Sequence, residues 1–325
     1  MNKSLLSVLR LLSDGEFHSG ERIGEALDVS RSAVWKHLQK LSSLGLSVQS
    51  VKGKGYCLPG GLDMLDDELI YSGLNHVTIN KLERCDVFDQ VESTNVSAVG
   101  FPLASSQKGY ACFAEYQRAG KGRRGRQWVS PYGYNIYLSI AWQFEEGAAR
   151  LEGLSLAVGV VIAQVLQQAG IQGVQLKWPN DILLQQRKLG GVLLEMSGDP
   201  SDICKVVVGV GLNVRMPEEV SIDQPWAALA QQQPTVSRNA LAAGLLNGLV
   251  PMLSDFHSIG FEKYIKQWQN LDAYRGSNVR VSSGQRVVEG VAEGVFANGA
   301  LRLRVDDEER AIYGGEVSLR PVYAP

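Results

Sequence analysis

The chain has 325 residues, 45% of them hydrophobic, and a formal net charge of -2. This length carries two or three domains with buried cores, and the balance is that of an ordinary soluble protein. No apolar run follows a basic leader, no stretch of about 18 to 20 uncharged apolar residues occurs, and Cys57, Cys85, Cys112 and Cys204 form no CxxC pair and have no His at ligand spacing. Export, a membrane span, a zinc site and a disulfide framework are therefore not expected; the setting is read as cytoplasmic, the cysteines as small core residues and the metal set as none.

Residues 1–62 read as short helices followed by a hairpin. Leu5, Leu6, Val8, Leu9 and Leu12 share a helical face, Asp14 and Gly15 end it, and a second helix through Ile23, Ala26 and Leu27 stops near Asp28. Ser30 is a good N-cap for SRSAVWKHLQKLSSLGL, in which Val34, Leu38 and Leu41 fall at i, i+4 and i+7. The opposite face carries Ser32, Lys36, Gln39 and Lys40. No acid lies between Val29 and Leu58, whereas Arg31, Lys36, Lys40, Lys52 and Lys54 do. KGKGY after Val51 supplies glycines for a tight turn with two lysines at its tip, as a wing beside a helix-turn-helix requires. A basic solvated face is the plainer reading of the helix alone; helix, cap and wing together predict a winged helix-turn-helix that contacts DNA through Arg31, Ser32, Lys36, Gln39, Lys40, Lys52 and Lys54. The glycines and acids of PGGLDMLDDE then mark a linker, residues 63–80.

Residues 81–271 alternate strand-like and helical runs. YACFAEYQ, YNIYLSIAW, GVQLKW, GGVLLEM and KVVVGVGLNV read as strands, and LSLAVGVVIAQVLQQAG as an almost wholly apolar helix ended by Gly170. The expectation is a mixed or antiparallel sheet with helices on one side, closed by a helical pair, Leu241 to Leu253 and Phe256 to Trp268. Residues 272–325 change to short alternating strands, NVRVSS, QRVVEGVAEGVF, ALRLRV and RAIYGGEVSL, with an acidic DDEE hairpin tip. They predict a small β-barrel. The whole is a multidomain α+β chain.

Four segments of the middle domain are unusual for structural work: ESTN (Glu92 to Asn95), AGKGRRGRQW (Ala119 to Trp128), KWPNDILLQQRKLGG (Lys177 to Gly191) and GVGLN (Gly209 to Asn213). Glycines 120, 122 and 125 let a backbone bend around a ligand, and the interleaved arginines give planar donors for phosphate or carboxylate. Alone, the loop reads first as a solvated basic patch. KWPND presents Asn180 and Asp181 after a proline turn, with Lys188 seven residues on; a hairpin with an Asp181 to Lys188 salt bridge is the plainer reading. No GxxxxGK[ST], HExxH or Ser/His/Asp set is present, so electrostatics rather than proton shuttling fits, as in nucleotide activation of a carboxylate.

Taken in order and spacing, ESTN, GKGRRGR with Trp128, KWPND with RKLGG, GVGLN and the terminal GGEVSL resemble the biotin–protein ligases, and the winged-helix start resembles their bifunctional bacterial form that is also the biotin operon repressor. One departure is Lys121, where the family usually has arginine; lysine keeps the charge and loses the fork. The resemblance implies that biotin's carboxylate attacks the α-phosphate of MgATP, giving biotinyl-5′-AMP, which a lysine of the biotin carboxyl carrier protein of acetyl-CoA carboxylase then attacks. It implies biotin contacts from Ser93, Thr94, Asn95, Gln117, Lys121, Gly122, Arg123 and Lys188, and ATP or adenylate contacts from Arg126, Trp128, Asn180 and Asn213. Lys188, Arg123 and Asp181 are the implied catalytic groups, with biotin as substrate, ATP and Mg2+ entering as MgATP, and operator DNA and a homodimer promoted by biotinyl-AMP as partners. A lipoate or octanoate ligase, or a repressor whose second domain only senses a small molecule, are the competing readings.

Overall fold

The computed structural model describes residues 3–145, 147, 151–199, 201–217, 220–284, 286–314 and 317–322. Gly315 and Glu316 of GGEVSL, and Gln285 at the head of an expected strand, lie outside the described residues. The chain opens with helices α1 (Lys3–Leu12), α2 (Gly20–Leu27) and α3 (Arg31–Ser43), then a hairpin of β1 (Gln49–Val51) and β2 (Gly55–Cys57). Ser30 caps α3 by accepting from the Ala33 amide at 3.3 Å, and Val34, Leu38 and Leu41 are buried with Leu5, Leu9, Leu12 and Ile23. His18 pairs with Tyr56 through both backbone bonds at 2.9 Å and adds a third short segment to the wing. Tyr132 of the middle domain is buried in this same cluster, with Leu62, Tyr116 and Tyr134 partly buried against it, so the first domain is docked.

The stretch read as a linker is folded. Helices α4 (Asp67–Ser72) and α5 (His76–Lys81) occupy it, and its acids are helix signals: Asp66 accepts from the Leu69 amide at 3.0 Å, and Asp67 and Glu68 fill the first turn. Both helices pack on the later helix over Arg238–Ile259, whose Asn247 amide accepts from Asn75 N and donates to Gly73 O, each at 2.9 Å.

The central sheet contains β3 (Leu82–Val91), β4 (Gly109–Gln117), β5 (Ile136–Phe144), β6 (Val174–Lys177), β7 (Asp181–Leu184), β8 (Arg187–Gly198) and β9 (Cys204–Leu212), in the order β3-β4-β5-β9-β8-β7-β6. Only β3 and β4 run parallel, joined through helix α6 (Thr94–Gly100). Helices α7 (Leu154–Gln168), α8 (Arg238–Ile259) and α9 (Ile265–Leu271) cover one face. Helix α6 covers the other, packing Ala98 on Tyr110, Cys112, Ala141 and Val207, so helices lie on both faces rather than one. The expected break near Ser254 is absent. Leu249, Leu253 and Phe256 continue one buried stripe through α8, and the helix ends at Gly260 with φ 66°. No helix among the described residues is long and apolar enough to cross a membrane.

Five antiparallel strands follow, β10 (Asn278–Ser283), β11 (Arg286–Val295), β12 (Leu301–Val305), β13 (Glu308–Ile312) and β14 (Val317–Pro321), in the order β13-β12-β11-β10-β14. RAIYGGEVSL is therefore two strands at opposite ends of the sheet, not one. Asp306 and Asp307, both at positive φ (49° and 64°), make the acidic hairpin tip. Val279, Leu301 and Leu319 join the same core as the central sheet, and Trp178 Nε1 donates to Gly299 O at 3.0 Å across the junction.

Asp272 stands at that junction, bridged to Leu176, its Oδ1 accepting from Tyr274 N at 3.0 Å and its Oδ2 buried without a hydrogen-bond partner. Burial pushes the carboxyl up to about 6 from 3.8. A raised folded-state pKa favours the fold below the unfolded value and loses that contribution as pH rises through the folded one. Between pH 4 and pH 7, the stability difference should therefore move in favour of Asp272→Asn by on the order of 1–3 kcal/mol, read from urea midpoints. Parallel curves would mean that Asp272 ionises freely.

Candidate active site

Every ligase-site residue named from the sequence lines one cavity of about 890 Å³, at the end of the central sheet on the α6 face. One part is a buried polar network. Gln117 Oε1 accepts from Thr94 N at 2.9 Å while its Nε2 donates to Ser130 Oγ at 3.1 Å; Ser139 Oγ lies 2.6 Å from Asn95 Oδ1 and 2.8 Å from Thr94 Oγ1. Ser93, Thr94, Asn95, Gln117, Ser130 and Ser139 are all buried. A buried network satisfied in this way holds its hydroxyls and amides in set orientations.

GVGLN explains how these groups sit so close to the sheet. On β9, a Cβ at Gly209 would lie 2.2 Å from Asn95 Oδ1, and one at Gly211 would lie 2.5 Å from Trp128 Cε2. The strand's bare surface is thus a seat for the Asn95 amide on one residue and the Trp128 ring two residues on. Gly211→Ala should push the indole off the strand and lower kcat/KM roughly 5- to 150-fold, the kinetic equivalent of the 1–3 kcal/mol that overpacking costs. Adding Trp128→Phe, a smaller ring, should recover part of the loss. Additive losses in the double variant would show that the contact is not the cause.

The basic loop is a compact hairpin. Trp128 N donates to Gly120 O at 2.8 Å and Gly122 N to Arg126 O at 2.7 Å, while Arg124 sits in the left-handed region at φ 60°. Three side chains tie it down. Lys121 Nζ reaches Glu195 Oε1 at 2.9 Å, with Asn95 Nδ2 on the other Glu195 oxygen at 2.6 Å; Arg123 donates to Asn180 Oδ1 at 2.9 Å; Lys188 Nζ stands 5.6 Å from the Trp128 ring centroid. The Lys121 contact is monodentate, as a lysine allows.

The salt bridge of the plainer reading is formed: Lys188 Nζ lies 2.7 Å from Asp181 Oδ1 and Lys177 Nζ 3.3 Å from Asp181 Oδ2. It lies inside the cavity. Burial alone would raise the Asp181 carboxyl, but Lys188 and then Lys177 outweigh it and hold it below its ordinary value. The register shifts between Ile182 and Leu183 on β7, opposite Gly190 and Lys188, and this bulge leaves Lys188 and Gly191 both toward the cavity. Asn180 and Asn213 mainly brace the walls. Asn180 Nδ2 donates to Val192 O at 2.7 Å, and Asn213 Nδ2 to Ala227 O at 3.1 Å and to Lys188 O at 3.4 Å.

Lys177, Trp226 and Arg320 line the cavity, and Ser130, Ser139 and Glu195 hydrogen-bond residues that line it; none was named as a site residue from the sequence. Trp226 stands alone in the polar run SIDQPW, a signal that could have marked it. Arg320 belongs to the C-terminal sheet, and only the docking of that sheet brings it here. The cavity wall carries Lys121, Arg123, Arg124, Arg126, Lys177, Lys188 and Arg320 against Asp181 and Asp223, an excess of cations suited to a polyanion. Arg31, Ser32, Lys36, Gln39, Lys40, Lys52 and Lys54 are all exposed on α3 and the wing, apart from this cavity.

The sequence model of the Biotin/lipoate A/B protein ligase family matches residues 87–213, an HTH domain matches residues 4–57, and the Biotin protein ligase C terminal domain matches residues 275–320. The chain is 41% identical to the bifunctional ligase/repressor BirA of Salmonella typhimurium and 40% identical to that of Escherichia coli, in each case over 97% of both chains. Among solved structures, the biotin protein ligase of Aquifex aeolicus in complex with biotin and ATP superimposes with a TM-score of 0.63 at 27% identity, covering 74% of this chain and all of the other. With its N-terminal helix-turn-helix, its mixed-sheet ligase domain and its C-terminal β-domain, this chain belongs to the biotin protein ligase family, in the group of bifunctional ligase/repressors.

Proposed function

We propose that the chain is an ATP-dependent biotin–protein ligase and a biotinyl-AMP-responsive repressor of biotin synthesis. The observation that carries the enzymatic reading is the Lys188 ammonium, held by Asp181 in a cation-rich cavity roofed by the basic hairpin. Biotin's carboxylate oxygen bonds to the α-phosphorus of MgATP and pyrophosphate leaves. The carrier lysine amine then bonds to the anhydride carbonyl and AMP leaves. Both steps build negative charge at a carbonyl or phosphoryl oxygen, which the Lys188 cation stabilises without a covalent enzyme intermediate. Ser93, Thr94, Asn95 and Gln117 bind biotin's polar end; Lys121, Gly122 and Arg123 cover the reacting linkage; Arg126 contacts phosphate. Trp128, whose buried Nε1 has no hydrogen-bond partner, packs the hairpin against the adenylate and offers it a donor. Asp181 orients the incoming amine. Asn180 and Asn213 act on the adenylate through the hairpin and the Lys188 backbone that they hold. Incubation with ATP, labelled biotin and a biotin carboxyl carrier domain should put label on the carrier; transfer of lipoate or octanoate in place of biotin would replace this reading with the related one.

The units of this reading are 1–62 for DNA, 63–80 as a helical connector, 81–271 for ligation and 272–325 as a small SH3-like barrel that completes the nucleotide end of the cavity. Arg31, Ser32, Lys36, Gln39, Lys40, Lys52 and Lys54 contact the operator. One helix and wing read one half-site, so the repressor is a symmetric dimer. Holding the glycine-containing basic hairpin in one conformation costs conformational entropy, and a bound adenylate that adds contacts to those of Lys121, Arg123 and Trp128 offsets it before a second subunit arrives, so biotinyl-AMP promotes dimerisation. Sedimentation at several protein concentrations, with and without biotinyl-AMP, tests the link; equal dimer affinities would break it.

A further inference from the structure

Trp35 is 57% exposed, although it sits on a helix whose apolar residues Val34, Leu38 and Leu41 are buried. It joins none of the apolar clusters of the described residues. Arg31 and Gln39 lie one turn before and one turn after it, and Ser32 and Lys36 flank it; all four are exposed. Its surroundings are thus polar and cationic, with no acid from Val29 to Leu58, and this does not suit an apolar protein partner. They suit the major groove of a duplex.

A large apolar ring in that groove has one base feature to recognise. Base edges there display donors and acceptors, and the C5 methyl of thymine is the apolar exception. Trp35 also stands in the N-terminal half of α3, the part of a recognition helix that reaches base edges. We propose that Trp35 is a specificity-determining residue that reads thymine, its indole packed on the C5 methyl of one T in each half-site. The inference rests on the reading of α3 as the recognition helix. It separates the cations, which hold phosphate and contribute affinity for any sequence, from a side chain that selects sequence.

The test uses the full chain with biotin and ATP, and a random duplex library. The parent should enrich a motif with T at a fixed position in each half-site. Deoxyuridine at that position, which removes only the methyl, should weaken parent binding about fourfold per half-site, the factor for one buried methyl group. Trp35→Ala should bind more weakly and lose the discrimination between T and U, while retaining biotin transfer to the carrier as evidence of its fold. A parent indifferent to the methyl at every T of its motif, or a Trp35→Ala variant with the same T over U ratio as the parent, overturns the role of Trp35 and leaves α3 as the recognition helix. No enriched motif from the parent overturns both.

Discussion

Lys188→Ala should slow biotinyl-AMP formation about a hundredfold or more, because a cation aimed at charge that develops in the transition state acts on the barrier itself. Its Nζ lies 2.7 Å from Asp181 and 5.6 Å from the Trp128 ring centroid, so it is already positioned by a carboxylate and an aromatic face. The fold should survive, since Lys177 still faces Asp181 at 3.3 Å. Single-turnover measurements separate the half-reactions: kcat should fall far more than substrate affinity. A loss confined to KM would mean that Lys188 contributes uniform binding and does not stabilise the reacting groups.

Arg238→Met should be strongly destabilising although it lies outside the cavity. Arg238 and Glu115 are 1% and 2% exposed, and Arg238 NH2 lies 2.6 Å from Glu115 Oε2. The same guanidinium donates to Asn135 O and Asp63 O, Glu115 accepts from Leu65 N, and Asn239 donates to Asp63 and Met64. Removing the cation leaves a carboxylate buried and unpaired, which costs about 3–5 kcal/mol. Urea unfolding should show this loss, and Arg238→Met combined with Glu115→Leu should recover much of it. Arg238→Lys, which keeps charge and loses the fork, should fall between. The group clamps residues 63–66, the tether of the DNA-binding domain, so proteolytic cleavage there should rise with the stability loss. An Arg238→Met chain as stable as the parent would mean that the pair is dispensable.

The central sheet and the wing hairpin were legible wherever local patterns were strong. Runs rich in Val, Ile, Tyr and Leu marked β4, β5, β8 and β9, and the spacing of Val34, Leu38 and Leu41 marked α3. Strand β3 was not legible: as an edge strand it carries Glu83, Arg84, Asp86 and Asp89, which blur its alternation. The turn between β7 and β8 is made by Gln185 and Gln186 at φ 52° and 60°, with no glycine, asparagine or aspartate to announce it. The acids of residues 66–68 were read as linker because capping acids and linker acids look alike until a helix docks behind them.

By itself, the sequence determined the secondary structure of most of the chain, the basic character of the first domain and the inventory of chemical groups, because these depend on residues close together along the chain. Only the tertiary structure decided which groups meet. Asn95, Lys121 and Glu195 come from α6, the hairpin and β8, and Arg320 reaches the cavity from a separate sheet. Whether Asp181 and Lys188 make an inert surface bridge or a charged pair inside a cavity was undecidable from their spacing alone. It is burial on the α6 face, under a loop folded back across the sheet, that sets their dielectric surroundings, and burial is a property of the assembled layers.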